Sequence, residues 1–335
     1  MSLKKIAQMT GSSVSTVSRV LNDPETSAAS KERKEQILDA ARQIGYIPNK
    51  EARNLRLSKT SEEPKPLRFS IVFSRIPNLD ADPFFNELFK NLEHDIFERG
   101  ALTDQVLFSD DKVGKDLSLC DGVIVLGRCG ENMLNRIREL NQNIVGIWRN
   151  SMHYRIDEVI CDGKKAAETA MEHLFSLGHS RIAYIGSCSN ESRYDGYCES
   201  IIRRGLPLNL NLVRQTKQTA PDAKPAFSSL MAGRDSDDGY FSAVFCANDT
   251  TAISVLEELK KEKKSVREQI SVISIDNLYE AQNTDPMLST IDIPRKEMSH
   301  LAISLLIDRI GRGHTNPVQI EFPCRLINRG SCRTL

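Results

Sequence analysis

The chain has 335 residues, 40% of them hydrophobic, and its 45 Lys and Arg balance its 45 Asp and Glu. This length allows more than one domain with a buried core, and no apolar run approaches the roughly 20 residues that a membrane-spanning helix needs. The amino terminus lacks the apolar stretch of a secretion signal, so we expect a cytoplasmic protein.

The first 46 residues show three short amphipathic segments, which predict helices at 3–9, 13–21 and 30–44, with Ser30 as the cap of the third. Gly11 lies between the first two helices, where a tight turn favours a residue that tolerates positive φ. The first 60 residues carry 11 Lys and Arg against 6 Asp and Glu, whereas the remainder carries 34 against 39. A basic helical module of this kind suits a polyanionic partner such as nucleic acid.

Beyond a polar, proline-containing linker, apolar strand-like runs alternate with amphipathic helical stretches. This alternation predicts an α/β body with parallel sheets. Because 270 residues exceed the usual size of one domain, we expect two doubly wound subdomains with a cleft between them. The predicted strands are 67–74, 122–126, 144–148, 158–161, 181–185, 243–246 and 271–275, and the predicted helices are 86–99, 164–177, 250–261 and 296–310.

The second helix begins with the small side chains Val14, Ser15 and Thr16. A helix that enters the major groove of DNA presents such residues at its amino-terminal end to base edges. Val14 can touch a thymine methyl group, and Ser15 can exchange a hydrogen bond with a base edge. Thr16 and Ser18 are better suited to phosphates, while Arg19 can serve both roles. This pattern predicts a helix-turn-helix that reads DNA.

The run Ser-Thr-Val-Ser-Arg-Val-Leu-Asn from Ser15 to Asn22, followed by Ile-Gly-Tyr-Ile-Pro-Asn at 44–49, resembles the lactose/galactose-repressor family of bacterial transcriptional regulators. The resemblance implies a homodimeric repressor that binds a palindromic operator in double-stranded DNA and responds to a small-molecule effector. It also implies a core like that of periplasmic binding proteins. Further matching motifs are Asp-Pro-Phe-Phe at 82–85, Asp-Gly-Val-Ile at 121–124, Gly-His-Ser-Arg-Ile-Ala at 178–183, Ala-Asn-Asp at 247–249 and Leu-Ser-Thr-Ile at 288–291.

Residues 49–57 resemble the hinge helix of that family, which becomes ordered when a dimer binds its operator. Short isolated helices are marginal in water, so coupling their formation to DNA binding is physically reasonable. The resemblance implies that Leu55 is wedged between base steps of the minor groove and that Ala52 allows close approach. Asn49 and Arg53 complete the expected contacts of the hinge, and Asn22, at the end of the second helix, is a further expected DNA contact. A linker role for Leu55, without DNA contact, stays open.

These inferences divide the chain into a DNA-binding domain, a hinge with linker, and an effector-binding and dimerisation core. A dimer is favoured over a tetramer because no leucine-heptad tail follows the core. The expected bounds are 1–46 for the DNA-binding domain, 47–65 for the hinge helix and linker, and 66–335 for the core. Within the core, the N-subdomain is expected at about 66–160 and 294–317, and the C-subdomain at about 162–290 and 320–332.

Ligands of two-subdomain α/β bodies bind at the carboxyl ends of parallel strands. Phe84 follows the first strand and offers a ring on which a sugar can lie. Arg193 stands three residues before Gly196, as the sugar-clamping Arg of the family does, and its planar fork can hold two hydroxyls or a carboxylate. Asn248 either lines the pocket or caps the next helix. The remaining candidate effector residues are Trp148, Arg149, Asp276 and Arg295.

The effector class is less sharply indicated. Many sugar-binding relatives carry Asp where this chain has Trp148 and Arg149, and Arg295 stands where relatives often have an aromatic residue. A second Arg favours an anionic or phosphorylated ligand. The segment from Gly100 to Asp121 is short, as in the galactoside-responsive branch of the family. We favour a sugar, a galactoside acting as inducer, with a purine or phosphosugar acting as corepressor as the alternative.

Other function classes find little support. The sequence has no GxGxxG, GxxxxGK[ST], GxSxG or HExxH motif, and its eight cysteines include no CxxC pair. We therefore expect no enzymatic activity, no metal and no other cofactor. A sugar receptor without DNA function would need a secretion signal and would leave residues 1–57 unexplained.

Overall fold

The computed structural model describes residues 3–22, 29–43, 65–109, 111, 113–149, 154–262 and 269–335. Contacts divide the chain into two units, 1–65 and 66–335. Within the described residues, no helix is both long and apolar enough to cross a membrane.

Three helices with a small shared core form the described part of the first unit. Ile6, Val17 and Ile37, one from each helix, are completely buried. Gly11 has φ of 59°, which confirms the predicted tight turn between the first two helices. The helices are α1 (Leu3–Thr10), α2 (Val14–Asn22) and α3 (Lys31–Gln43).

Side-chain caps begin the second and third helices. The Ser13 hydroxyl accepts a hydrogen bond from the backbone N–H of Thr16 at 3.0 Å, and the Ser30 hydroxyl accepts one from the backbone N–H of Arg33 at 3.3 Å. Each bond satisfies one of the backbone donors that a helix start leaves without an intrahelical partner. The predicted cap at Ser30 is confirmed.

The second unit contains two six-stranded sheets, and the first of them is parallel throughout. Its strand order is β2-β1-β3-β4-β5-β11. The strands β3 and β4 are buried along their whole length, which explains why they are continuous apolar runs in the sequence. The strands are β1 (Arg68–Phe73), β2 (Leu102–Leu107), β3 (Gly122–Leu126), β4 (Ile144–Trp148), β5 (Asp157–Ile160) and β11 (Gln319–Glu321).

The second sheet has the order β7-β6-β8-β9-β10-β12 and is parallel except for the antiparallel pair of β10 and β12. Its central strands β6, β8 and β9 are likewise buried. The strands are β6 (Ile182–Gly186), β7 (Val213–Gln215), β8 (Ala243–Cys246), β9 (Ser271–Asp276), β10 (Ser289–Asp292) and β12 (Arg325–Ile327). We call the two sheets, each with its helices, the first and second subdomains.

Helices connect successive strands and cover the sheets. The first of them begins at Pro83, where the Asp82 carboxylate accepts a hydrogen bond from the backbone N–H of Phe84 at 2.9 Å. The helices of the first subdomain are α4 (Pro83–Glu98), α5 (Glu131–Leu140) and α10 (Arg295–Ile310). Those of the second are α6 (Gly163–Ser176), α7 (Ser192–Arg203), α8 (Ala220–Gly233) and α9 (Asp249–Leu259).

The predicted α/β body of two parallel-sheet subdomains is confirmed, with one boundary to correct. The sequence places the final return to the second subdomain near residue 320, yet Gln319–Glu321 pairs with β5 of the first sheet. The pairing is held by the backbone N–H of Glu158, which donates to the carbonyl of Val318 at 2.9 Å, and by Asp157, which accepts from the N–H of Val318 at 2.9 Å. The chain therefore crosses between β11 and β12.

Candidate functional site

The amino-terminal end of α2 is exposed and rich in hydroxyl groups. Val14 is 41% exposed, so it lies outside the small core despite its apolar side chain. Ser15 and Arg19 are also exposed, and Thr16 and Ser18 are half-buried. These five predicted DNA contacts lie on a single helix of nine residues.

Hydroxyl groups at this helix start are linked to one another. The Ser13 hydroxyl lies 2.7 Å from that of Ser15 and 2.9 Å from that of Thr16. Backbone N–H groups at a helix start attract phosphate oxygens, and neighbouring hydroxyls can add further hydrogen bonds. The arrangement is suited to the DNA backbone as well as to base edges.

Several predicted DNA contacts cannot be placed. Asn22 is the last residue of α2, and its side chain is outside the described part of the chain. Asn49, Ala52, Arg53 and Leu55 also lie outside the described residues. Their roles stay predictions.

A cavity of about 430 Å³ lies between the two subdomains. It is bordered by segments that follow the carboxyl ends of β1, β3 and β4 in the first sheet and of β6, β7 and β8 in the second. This is where α/β folds of this kind place their ligands. Five of the seven predicted effector residues line it: Phe84, Trp148, Arg149, Arg193 and Asn248.

Asp276 and Arg295 stand behind the cavity wall and are not among its lining residues. Asp276 is 1% exposed and pairs with Arg149, whose Nη2 lies 2.6 Å from its carboxylate. Arg295 pairs with Glu87 at 2.9 Å and donates to the backbone carbonyls of Asp276 and Asn277. Their contact with the effector stays a prediction, and in this structure both side chains are paired within the protein.

Arg193 is buried and already bound on several sides. Its Nε and Nη2 each donate to the Glu191 carboxylate at 2.7 Å, Nη1 donates to the carbonyl of Ala247 at 2.7 Å, and Nη2 also donates to Gln218 at 2.8 Å. The planar fork expected to clamp a sugar is thus occupied by Glu191. The sequence prediction missed Glu191 and Gln218, although Glu191 caps α7 and lies only two residues before Arg193.

The Arg193–Glu191 pair is charged at neutral pH. Burial opposes the charged form of Glu191, but the adjacent Arg193 outweighs burial and lowers the pKa of Glu191 to about 2. Burial likewise opposes the charge of Arg193, and the Glu191 carboxylate raises the pKa of Arg193 above its ordinary value. A buried pair of this kind depends on both partners being present.

Asn248 combines the two roles that the sequence left open. Its side-chain oxygen accepts a hydrogen bond from the backbone N–H of Thr251 at 3.0 Å and so caps α9. Its amide nitrogen donates to the carbonyl of Gln218 at 3.0 Å. The residue lines the cavity while holding two segments of the second subdomain together.

Two aspartates lie close together behind Asn248. Asp249 is completely buried and accepts hydrogen bonds from the hydroxyls of Ser274 at 2.5 Å and Thr290 at 2.6 Å. Burial, with a further contribution from neighbouring Asp276, raises the pKa of Asp249 to about 7. Burial also raises the pKa of Asp276 to about 6, against the opposing effect of Arg149. Burial therefore disfavours the ionised form of both carboxyl groups.

The two predicted aromatic contacts differ in what surrounds them. The ring of Phe84 lies beneath the guanidinium of Arg149, whose Cζ is 4.4 Å from the ring centre. The indole of Trp148 packs in the apolar core of the first subdomain, against Gly146 and Tyr154. Both residues border the cavity. The guanidinium of Arg149 covers part of the Phe84 ring, where the sequence predicts that a sugar lies.

Comparison with known proteins identifies the families that match the two parts of this chain. A family profile described as bacterial regulatory proteins of the lacI family matches residues 2–49, and one described as a periplasmic binding protein-like domain matches residues 171–332. The chain belongs to the lactose-repressor family. Membership accounts for both the helix-turn-helix unit and the α/β body of two subdomains.

Relatives of this lactose-repressor family member match along almost the whole chain. The transcriptional repressor MelR of Bacillus subtilis (strain 168) is 27% identical over 344 residues, covering 98% of this chain and 97% of MelR. The repressor CytR of Escherichia coli (strain K12) is 28% identical over 350 residues, covering 99% and 96%. The chain is accordingly a DNA-binding transcriptional repressor of this family and not an enzyme.

The fold also matches solved structures. A complex of the transcriptional regulator CelR with cellobiose superposes with a TM-score of 0.69 at 23% identity, covering 99% of this chain and all of that one. At this identity the likeness concerns the fold alone.

Proposed function

We propose that this repressor binds a palindromic operator as a cytoplasmic homodimer and that a sugar in the cavity controls its operator affinity. The observation that carries the proposal is that both subdomains line one cavity and are joined across it. The Nη2 of Arg149 lies 2.6 Å from Asp276, and the Nη1 of Arg128 donates to the carbonyl of Asn190 at 2.5 Å. A ligand that favours one arrangement of the subdomains shifts the population toward it.

The proposed DNA contacts come from α2 and the hinge. Exposed Ser15 and Val14 read base edges, and Arg19 contacts base or phosphate. Thr16, Ser18 and Asn22 contact the DNA backbone. Asn49, Ala52, Arg53 and Leu55 form the hinge contacts, with Leu55 as the wedge in the minor groove.

A galactoside acting as inducer is the first effector to test. In support, the described residues between β2 and β3 include only a short 3₁₀ turn, Lys115–Ser118, so this connection is compact, as in the galactoside-responsive branch. The alternative is a purine or phosphosugar acting as corepressor. The cationic side chain of Arg149 at the cavity favours a phosphorylated ligand over a purine.

The experiment is selection of bound sequences from a pool of random DNA duplexes by the full-length protein, followed by mobility shift on the enriched duplex. We expect a palindrome whose complex dissociates when methyl galactoside is added. Tighter binding on addition of adenine or galactose 6-phosphate would instead support the corepressor alternative. The proposed function is wrong if no sequence is enriched over the starting pool.

A further inference from the structure

The cavity is lined by more positive than negative side chains. Two carboxylates, Asp82 and Glu191, border it, compared with five cationic groups. The five cationic lining residues are Arg75, Arg128, Arg149, Arg193 and Lys217. A cleft lined mostly by one sign of charge attracts ligands of the opposite sign, because its low-dielectric walls concentrate the field.

Ion pairs and hydrogen bonds among the lining residues do not remove this excess of positive charge. Glu191 is neutralised by Arg193, and Asp82 is engaged as the cap of α4. Arg75, Arg128 and Lys217 are exposed, and in the described part of the chain none of them forms an ion pair with a carboxylate. The charge available to a ligand is therefore cationic.

Arg149 is the cation best placed to bind a ligand group directly. It follows β4, lies over Phe84, and its side chain is 19% exposed. Among the described residues it donates to a single acceptor, one oxygen of Asp276. A guanidinium has five N–H donors in a fork that matches a carboxylate or phosphate, so one such bond leaves capacity for more.

A neutral ligand and an anionic ligand would affect Arg149 differently. Burial lowers the pKa of Arg149, and neighbouring Arg193 lowers it further, against the opposing effect of Asp276. A neutral sugar that displaces the remaining water would add to this cost of a buried charge, whereas an anion would offset it.

We infer that the effector carries an anionic group, a carboxylate or a phosphate, that binds the guanidinium of Arg149. This inference rests on the proposed function, since it names the class of effector for the same cavity. Arg149 belongs to the first subdomain and Asp276 to the second. The anion therefore competes with Asp276 for Arg149 and weakens a link between the subdomains, which connects ligand binding to their arrangement.

Opposing charges near Arg149 do not cancel this attraction. The carboxylates nearest to it are Asp276, Glu191 and Asp82. Glu191 is paired with both donors of the Arg193 fork, and the Asp82 carboxylate accepts a backbone N–H as the cap of α4. Asp276 is paired with Arg149 itself, so it is the carboxylate with which an anion at Arg149 competes.

The first test uses the full-length wild-type protein and measures thermal unfolding in sodium phosphate and in sodium chloride of equal ionic strength. We expect phosphate to raise the unfolding temperature by about 5 °C more than chloride at saturating concentration. In calorimetry at pH 7.5, D-galacturonate should bind about tenfold or more tightly than D-galactose. Equal effects of phosphate and chloride, or equal affinity for the two sugars, would overturn the inference.

Variants test whether Arg149 is the residue that binds phosphate. Arg149→Gln should lose the added stabilisation by phosphate relative to its own baseline, and Arg149→Lys should keep part of it because Lys retains the charge without the fork. Lys90→Gln removes an exposed cation of α4 outside the cavity and should respond as wild type. An equal loss in Arg149→Gln and Lys90→Gln would show a net-charge effect and contradict direct binding. If Arg149→Gln does not fold, the comparison of wild type with Arg149→Lys still tests the inference.

Operator binding separates this inference from the proposed function. A protein that selects a palindromic operator and releases it with galactose but shows no preference for anions would refute the anionic effector alone. A protein that binds phosphate through Arg149 yet selects no operator would refute the proposed function and leave the anion site standing.

Discussion

The helical unit and the α/β unit present their predicted contact residues in opposite ways. On α2, Ser15 and Arg19 are exposed and take no part in the buried core of Ile6, Val17 and Ile37. In the cavity, Arg193 and Asn248 are buried and bonded to other parts of the protein. Binding and stability are therefore separable in the first unit and coupled in the second.

The largest expected effect tests this coupling in the α/β unit. Arg193→Ala should lower the free energy of unfolding by about 3–5 kcal/mol, because it leaves the Glu191 carboxylate buried without its cation. An Arg193 that served only as a sugar clamp would instead lose only the effector response on substitution. Urea unfolding measures the difference, and Arg75→Ala, at an exposed lining position, should remain within about 0.5 kcal/mol of wild type. Wild-type stability of Arg193→Ala would remove the contrast between the units.

The next effect tests separability in the helical unit. Ser15→Ala and Arg19→Ala should each weaken operator binding by about 1–3 kcal/mol while leaving the unfolding transition unchanged, because both side chains are exposed. Mobility shift on the selected operator at fixed salt measures the affinity. Lys90→Ala serves as the control for loss of a positive charge outside the helical unit. Normal operator affinity in both variants would show that α2 is not the reading helix.

The third effect concerns pH. Burial raises the pKa of Asp249 to about 7, above the value near 3.9 expected in the unfolded chain. The folded state then binds more protons between these values, so the stability from this group is complete below about pH 4 and is lost as pH rises through 7. The steepest loss is about 1.4 kcal/mol per pH unit.

The matched variant is Asp249→Asn, which cannot ionise. The groups facing Asp249 are Asp276, whose charge adds to the rise in pKa, and the hydrogen-bonding Ser274, Thr290 and backbone N–H of Leu278, which oppose it. Urea unfolding between pH 5 and pH 8 should show a larger fall in stability for wild type than for the variant. Parallel pH profiles would indicate that Asp249 ionises normally despite its burial.

Elements with a strong local signal were predictable from the sequence, and contacts between distant side chains were not. Buried strands such as Gly122–Leu126 are recognisable as apolar runs, and Ser30 indicates the start of a helix. Leu102–Leu107 was missed because it is a half-buried edge strand with polar residues in its middle.

The same limit applies to the cavity. Phe84, Arg149 and Arg193 were placed there because they follow predicted strands, and that position depends on chain order. The pairing of Arg149 with Asp276 depends on how the two subdomains pack, which no local pattern encodes. The pairing of Arg193 with Glu191 is local and depends on the turn that begins α7. Sequence reasoning therefore located the cavity but missed that Arg149 and Arg193 also bind carboxylates of the protein itself.

Arginines of the first subdomain donate across the cleft to two different kinds of acceptor. Arg128 and Arg295 donate to backbone carbonyls, those of Asn190 and of Asp276 with Asn277, whereas Arg149 donates to a side chain. A carbonyl survives any substitution of its own residue, but a carboxylate does not. Substitution of Asp276 can thus remove the Arg149 link while the carbonyl links persist, so among these described contacts the Arg149 link is the one that a single mutation in the second subdomain can change.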